Sequence, residues 1–307
     1  MKNIRQLENN IFFEPPSHSI PKLHLDFGHC ATTYTKSKQR SSACSQAVIE
    51  RLLRKHNVKL DSFVDFGIGD GYWSNTIASM GYAKQRVVGV DISKEMLERA
   101  QGQVSASQTE FVHGSVAELM ELNLEGVETI FVAMTAHLMP FPHGLLELVE
   151  LARQRSIRHV VVLEEVSPFY SVLTGNPGFA DYLPRLLSEV FSAYVDMRCR
   201  LGVASISSLR KAPFPTPAMP LESWRLLGLD ILDYNFDLPN IAWCWHYSAA
   251  DMVEDIGRRA FSILFCHSPE SSKKIADNLA NDFSSNTEFA VKEDIPFWYQ
   301  LHVFRTA

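Results

Sequence analysis

No stretch of the 307-residue chain approaches the ~20 consecutive apolar residues that a bilayer-spanning helix requires. The first residues, Met1-Lys2-Asn3-Ile4-Arg5-Gln6-Leu7-Glu8, lack the apolar core of a signal peptide. Cysteine is sparse: Cys30, Cys44, Cys199, Cys244 and Cys266 are odd in number and contain no C-x-x-C pair, so neither a disulfide framework nor a zinc site is signalled. Basic charge is in deficit as well. With a formal net charge of −6 and no long Lys/Arg block, the chain has no field for attracting a phosphate backbone, so nucleic acid is not an expected partner. These absences point to a reduced, cytoplasmic protein that stays off the membrane. What is present is ordinary: 46% apolar and 21% charged residues match a soluble globular protein. The length exceeds a typical domain of about 100 to 200 residues, which suggests one large domain with an insertion. Nothing in the sequence fixes an oligomeric state.

Four short apolar runs, Phe63 to Phe66, Val87 to Ile92, Thr129 to Met134 and His159 to Val166, alternate with helix-like or turn-rich segments. Glu110 to His113 fits between the second and third, giving five strands in βαβ order and hence a parallel sheet. After the second run Ser93 is placed to cap a helix, Glu95 to favour its positive end and Gly102 to close it. Ser45 to His56 carries Val48, Leu52 and Leu53 at helical spacing. Residues 167–247 differ in texture, being rich in aromatics and holding more than half of the 15 prolines. Pro213, Pro215, Pro217 and Pro220 break any regular element there, while Asp181 to Arg200 reads as a helix with Pro184 in its first turn. Leu229 to Phe236, Phe261 to His267 and Trp298 to Phe304 compete for the last two places of a seven-stranded sheet. The expected architecture is a doubly wound, mostly parallel α/β fold with a lid inserted after the fifth strand. Residues 1–60 form a helical cover, 61–166 and 248–307 the core, and 167–247 the lid.

The first run leads into Asp65-Phe66-Gly67-Ile68-Gly69-Asp70-Gly71, and the second, Val88-Gly89-Val90-Asp91-Ile92-Ser93, ends in an acid. Glycines at this junction let the backbone turn sharply and approach a ligand closely. A pyrophosphate-binding loop would need G-x-G-x-x-G, but Tyr72 or Ser74 fills the third glycine's place, so a nicotinamide oxidoreductase is disfavoured. The arrangement resembles motif I of class I S-adenosylmethionine-dependent methyltransferases, Asp-x-Gly-x-Gly-x-Gly with a later acid, and the likeness covers roughly residues 61–166. It implies a Rossmann-like fold and S-adenosyl-L-methionine as cofactor. By this resemblance Gly67, Gly69 and Gly71 lie under the methionine and ribose, and Asp91 accepts from both ribose hydroxyls, two donors to one carboxylate. Asp65, Ile92, Met96, Val116, Ala133 and Met134 complete the implied cofactor site. In Phe111-Val112-His113-Gly114-Ser115-Val116-Ala117-Glu118 the family's acid for the adenine amino group is missing. Ser115 is its stand-in, and Glu118 is expected to be a solvated helix residue. Tyr34, in Ala31-Thr32-Thr33-Tyr34, resembles a tyrosine that covers the cofactor in relatives.

The same resemblance puts the methyl acceptor beyond the fourth strand, at Phe131-Val132-Ala133-Met134-Thr135-Ala136-His137-Leu138-Met139-Pro140. No Asn/Asp-Pro-Pro-Tyr/Phe tetrapeptide occurs, which disfavours adenine N-methylation, and no carboxylate ends the strand, so no metal is expected. Glu164 and Glu165 end the fifth strand at the same rim, where Glu165 is the candidate to hold an ammonium or hydroxyl of the substrate. His137, then His246, are candidate general bases, since imidazole titrates near neutrality. Packing in the core or at the rim is the plainer alternative for both. Tyr170, Trp243 and Tyr247 are candidate walls of an acceptor pocket. The expected activity is methyl transfer to a small or medium-sized, partly apolar metabolite. Aminopropyl transfer, non-methylating use of the same cofactor, and a catalytically inactive cofactor-binding partner are the alternatives.

Overall fold

A computed structural model describes residues 42–106, 108–136, 139, 143–166, 168–169, 182–200, 230–235, 242–258 and 268–306. Its elements are α1 (Ser42–His56), β1 (Ser62–Phe66), α2 (Tyr72–Ser79), β2 (Arg86–Asp91), α3 (Lys94–Gln103), β3 (Thr109–His113), α4 (Val116–Glu121), β4 (Thr129–Ala133), α5 (His143–Gln154) and β5 (His159–Val166). They continue as α6 (Arg185–Arg200), β6 (Asp230–Asn235), β7 (Ala242–Tyr247), α7 (Ala249–Arg258), α8 (Pro269–Phe283) and β8 (Glu293–Arg305).

The sheet runs β3-β2-β1-β4-β5-β8-β6, with β7 also paired to β8. The first five strands are parallel, and β8 is antiparallel to β5, β6 and β7. Central parallel strands are covered on both faces, which is why β1 and β4 are buried at every position rather than at alternate ones, Ser62 and Asp65 included. Alternation sorts their side chains onto two cores. Val64, Val88, Val132, Val160 and Val162 pack with Leu148 and Val149 of α5. Phe63, Val87, Phe131, Val161 and Leu163 pack with Leu52 of α1, Val190 of α6, Met252 of α7 and Ile275 of α8. Because β1 continues towards β2 on one side while β4 continues towards β5 on the other, a crevice opens beyond the carboxyl ends of β1 and β4, where ligands of doubly wound folds bind.

The α/β, doubly wound, mostly parallel reading holds, but the strand count does not: the described residues form eight strands rather than seven. Of the three candidates for the end of the sheet, two are strands, β6 and β8, and the third, Phe261 to His267, lies outside the described residues. The lid boundary also needs correction. Strands β6 and β7 join the sheet, and Leu186, Leu187 and Val190 of α6 belong to its core, although all three elements fall within 167–247. Residues 167, 170–181, 201–229 and 236–241 of that segment lie outside the described residues, as do residues 1–41 of the expected cover. Helix α3 runs through Gly102 and closes at Val104, and no described helix is long and apolar enough to cross a membrane.

Candidate cofactor site

The loop between β1 and α2 holds three glycines in the left-handed region, with φ of 75° at Gly67, 57° at Gly69 and 83° at Gly71. Two of them also have no room for a side chain. A Cβ on Gly67 would lie 2.2 Å from Thr135 Oγ1, and one on Gly71 would lie 2.6 Å from Val104 Cγ2 of the segment closing α3. Gly67 therefore lets β1 and β4 end side by side, and Gly71 lets α2 start against α3. Ser74, one of the residues filling the absent third glycine's place, donates its hydroxyl hydrogen to Asp65 Oδ2 at 2.6 Å.

Asp91 latches the loop. Its Oδ2 accepts from Gly69 N at 2.9 Å and its Oδ1 from Ser93 N at 2.8 Å, so each oxygen is positioned and keeps a lone pair for a ligand. Burial raises the Asp91 carboxyl above its ordinary value, and the backbone donors of Ser93, Gly69 and Ile92 pull it back down. Behind it lies Asp65, fully enclosed. Burial drives this carboxyl up to about 7 against the pull of the Ser74 hydroxyl, and the nearby Asp91 and Asp70 carboxylates push it further up. Asp70 is itself buried and accepts from Tyr72 N at 3.2 Å. Three carboxylates around one loop, two of them with raised pKa, form an environment that a cation would relieve.

A cavity of about 370 Å³ crosses the carboxyl edge of the sheet from β3 to β4. Of the expected cofactor residues Gly67, Gly69, Asp91, Ile92, Met96, Ser115, Val116, Ala133 and Met134 line it, whereas Asp65 and Gly71 stand behind the wall. Ile92 is apolar yet 55% exposed at the mouth, free to face a planar ring. Ser115 caps α4: its Oγ accepts from Ala117 N, and both its hydroxyl and its N–H donate to Glu118 Oε2, at 2.7 and 2.6 Å. Glu118 is thus a solvated partner in a capping box, held below the usual carboxylate range first by the Ser115 N–H. Sequence reasoning missed Tyr72, Trp73, Thr135, Gly144 and Glu147, all of which line the cavity. Tyr72 and Trp73 directly follow the glycine loop, a position that could have flagged them. No local pattern marks Gly144 or Glu147, which α5 brings in from across the sheet.

At the end of β4, Met134 adopts φ 57° and its N–H donates to Leu163 O at 2.7 Å, a strained turn that delivers Thr135 to the glycine loop. The candidate substrate residues are not gathered there. His246 is exposed on β7 with its Nδ1 3.3 Å from Asp294 Oδ1, and it does not line the cavity. Tyr247 is buried in the core and donates its hydroxyl hydrogen to Asp255 Oδ2 at 2.8 Å. Glu165 pairs in register with Tyr299 of β8, while its side chain and that of Trp243 lie outside the described residues, as do Tyr34, His137 and Tyr170.

Residues 63–154 match a family model described as a methyltransferase domain. No curated protein matches the chain. Among solved structures, it resembles a methyltransferase from Thiobacillus denitrificans in complex with S-adenosyl-L-homocysteine, at 16% identity and a TM-score of 0.49 over 94% of this chain and 99% of that one. It resembles the YcgJ protein of Bacillus subtilis at 11% identity and a TM-score of 0.46, over 86% and 98% of the two chains. For Haemonchus contortus phosphoethanolamine N-methyltransferase 2 the values are 14% and 0.44, over 90% of this chain but only 56% of the worm enzyme. The matched segment contains the glycine loop, Asp91 and the ends of β3 and β4 that border the cavity. Over residues 63–154, about a third of its length, the chain is similar to a methyltransferase domain.

Proposed function

We propose that the protein transfers a methyl group from S-adenosyl-L-methionine to a small or medium-sized, partly apolar metabolite. The observation that carries this reading is Asp91, locked by Gly69 and Ser93 at the middle of a cavity of one-ligand size with a free lone pair on each oxygen. Two vicinal ribose hydroxyls are the donors such a carboxylate fits. The described lining holds Asp70, Asp91 and Glu147 but no Lys, Arg or His, which suits a ligand carrying positive charge. S-adenosylmethionine supplies an electrophilic methyl group on a sulfonium. Gly67 and Gly69 admit the ligand against bare backbone, Asp91 fixes its sugar, and Ile92, Met96 and Val116 offer an apolar flank to the base. The protein's main contribution is then orientation, which can reach ~7 to 11 kcal/mol.

The acceptor approaches at the rim beyond β4 and β5, with His137 as base if it must lose a proton and Glu165 as a charged contact. The test is incubation of the protein with S-adenosylmethionine and cell metabolites, followed by mass analysis. The expected result is S-adenosylhomocysteine together with a product heavier by one methyl group. Cofactor binding without any S-adenosylhomocysteine would point instead to an inactive partner, and a propylamine gain to aminopropyl transfer. His137→Ala is expected to lower turnover ~10²- to 10⁴-fold with cofactor affinity intact. A mutant of full activity removes the base role.

A further inference from the structure

The cavity reaches over the carboxyl edge of the sheet from one face to the other. Helix α2 packs on the first face, where Trp73 and Ile77 share a core with Phe63 and Phe131. Helices α4 and α5 pack on the opposite face, where Val116 and Leu119 share a core with Leu145 and Leu148. The described lining divides accordingly. Asp70, Tyr72 and Trp73 stand at the α2 end, and Val116, Ala117, Met139, Gly144 and Glu147 stand at the end bordered by α4 and α5. Asp91, the last residue of β2, lies at the strand edge between them. The α4–α5 end is mostly apolar, and with Ile92 and Met96 beside it this is the end that suits a flat base once Asp91 holds the sugar.

An adenine ring placed there brings an exocyclic amino group, a donor that must exchange water for an acceptor on the protein. Ser115 is already committed: its hydroxyl hydrogen goes to Glu118 Oε2 at 2.7 Å, and its oxygen accepts from Ala117 N at 3.3 Å. Glu118 is not part of the described lining, and the same Oε2 also takes the Ser115 N–H. Glu147 differs on each count. It lines the cavity, it is exposed rather than packed away, and it sits three residues after Gly144, which lines the cavity from the same face of α5 and has no side chain to stand between them. Of the three carboxylates in the described lining, Asp91 is held by Gly69 and Ser93, and Asp70 belongs to the α2 end. Glu147 is therefore the carboxylate at the base end, and an ionised carboxylate only accepts.

We propose that Glu147, delivered by α5 from across the sheet, accepts from the adenine amino group and is the residue that makes this site specific for a 6-amino purine. This rests on the cofactor reading above and goes beyond it. The test compares calorimetric affinities of wild type and Glu147→Gln for S-adenosylhomocysteine and for S-inosylhomocysteine, in which a 6-oxo group replaces the amino group. Wild type is expected to bind the adenosyl ligand at least tenfold more tightly, because the 6-oxo group turns an acceptor towards the carboxylate. In the Gln variant that gap should narrow about tenfold or more, since a carboxamide accepts more weakly than a carboxylate and can offer its NH₂ to the oxo group. A wild type that does not discriminate, or a gap of the same size in both proteins, overturns the proposal. So does an equal loss of affinity for both ligands in the variant, which would mark Glu147 as part of the wall without a role in reading the base. Position 147 is exposed and the substitution keeps its shape, so folding is not at stake. Wild-type protein that binds neither ligand overturns the cofactor reading and this inference with it, whereas failure of the contrast alone leaves that reading intact.

Discussion

The parallel half of the molecule, β1 to β5, and the half that follows it, α6 to β8, are built on opposite principles. Every described residue of the cavity wall lies between Phe66 and Glu147, and every described residue with left-handed backbone lies before β5. The two carboxyls around the glycine loop that are raised by burial, Asp65 and Asp91, are there too. The second half contributes no described residue to the cavity wall; it holds large buried rings, among them Tyr194, Trp245, Phe297 and Tyr299, and ties Ser248 to Asp251 and Tyr247 to Asp255. At the glycine loop, left-handed backbone and buried carboxylates stand beside the cavity, and the rings of the antiparallel half pack beneath them, Tyr299 against Trp73.

The sharpest way to break this contrast is Gly67→Ala. The substitution puts Cβ on a residue at φ 75° and 2.2 Å from Thr135 Oγ1, so either the loop or the β4 turn must move. We expect cofactor affinity to fall ~100-fold or more, since left-handed alanine alone costs about 1 to 2 kcal/mol and the collision adds to it. A variant titrating like wild type would show that the loop is not where ligand and backbone meet.

Asp91→Ala removes the charged acceptor itself. The expected loss is about 1.5 to 3 kcal/mol in calorimetry with S-adenosylhomocysteine, part of it from freeing Gly69 N and Ser93 N to wander. Unchanged affinity in a folded variant removes Asp91 from the site.

How much of this was legible beforehand follows the same divide. Five parallel strands, the cap at Ser93 and the glycine loop with Asp91 could be read because each is local: an apolar run, a turn residue, an acid at a fixed offset. Asp65 and Gly71 belong to the same motif but serve behind the wall, because a sequence pattern fixes neighbourhood and not exposure. Trp73, Thr135 and Glu147 meet in one cavity only through strand order, which no window of sequence contains. Tyr247, a candidate wall, is buried and absent from the described lining of this cavity for the same reason. A tyrosine near the sheet's end looks alike as a pocket wall or as a core residue, and only the approach of Asp255, nearly two turns into α7, decides. His246 was drawn in by its aromatic neighbours, yet β7 leaves it exposed beside Asp294.

Asp65→Asn should separate stability from binding within the parallel half. The folded carboxyl holds its proton up to about 7 against an ordinary 3.8, so between those values the native state binds a proton that the unfolded chain has released. Wild-type stability therefore falls as pH rises through that window, on this residue's account, and is flat above it. Asparagine stays neutral and its oxygen can still accept from Ser74. The variant should gain about 1 to 2 kcal/mol over wild type at pH 8 and nothing near pH 4, measured by denaturant unfolding. Its affinity for S-adenosylmethionine, which carries a sulfonium charge, should weaken more than for S-adenosylhomocysteine, which does not. A stability difference independent of pH would mean that Asp65 does not titrate in this range.

The smallest effect tests the other side of the contrast. Tyr247→Phe keeps the ring in the core beside Trp245 and deletes one hydroxyl, whose hydrogen now goes to Asp255 Oδ2. Burial raises the Asp255 carboxyl and the Tyr247 hydroxyl opposes that rise, so the variant's Asp255 should titrate higher still. A raised carboxyl costs nothing while protonated and destabilises once the unfolded state prefers to ionise. The loss should therefore be about 1 kcal/mol at pH 8, discounted because Asp255 is partly exposed, and should shrink as pH falls through the raised folded values of Asp255, vanishing by its ordinary 3.8, where the folded carboxyl is protonated in both proteins. Cofactor affinity should not change, because neither residue touches the cavity. A clear loss of affinity in a variant this mild would show that the antiparallel half reaches the site through its packing, and the two halves would then have to be treated as one binding unit.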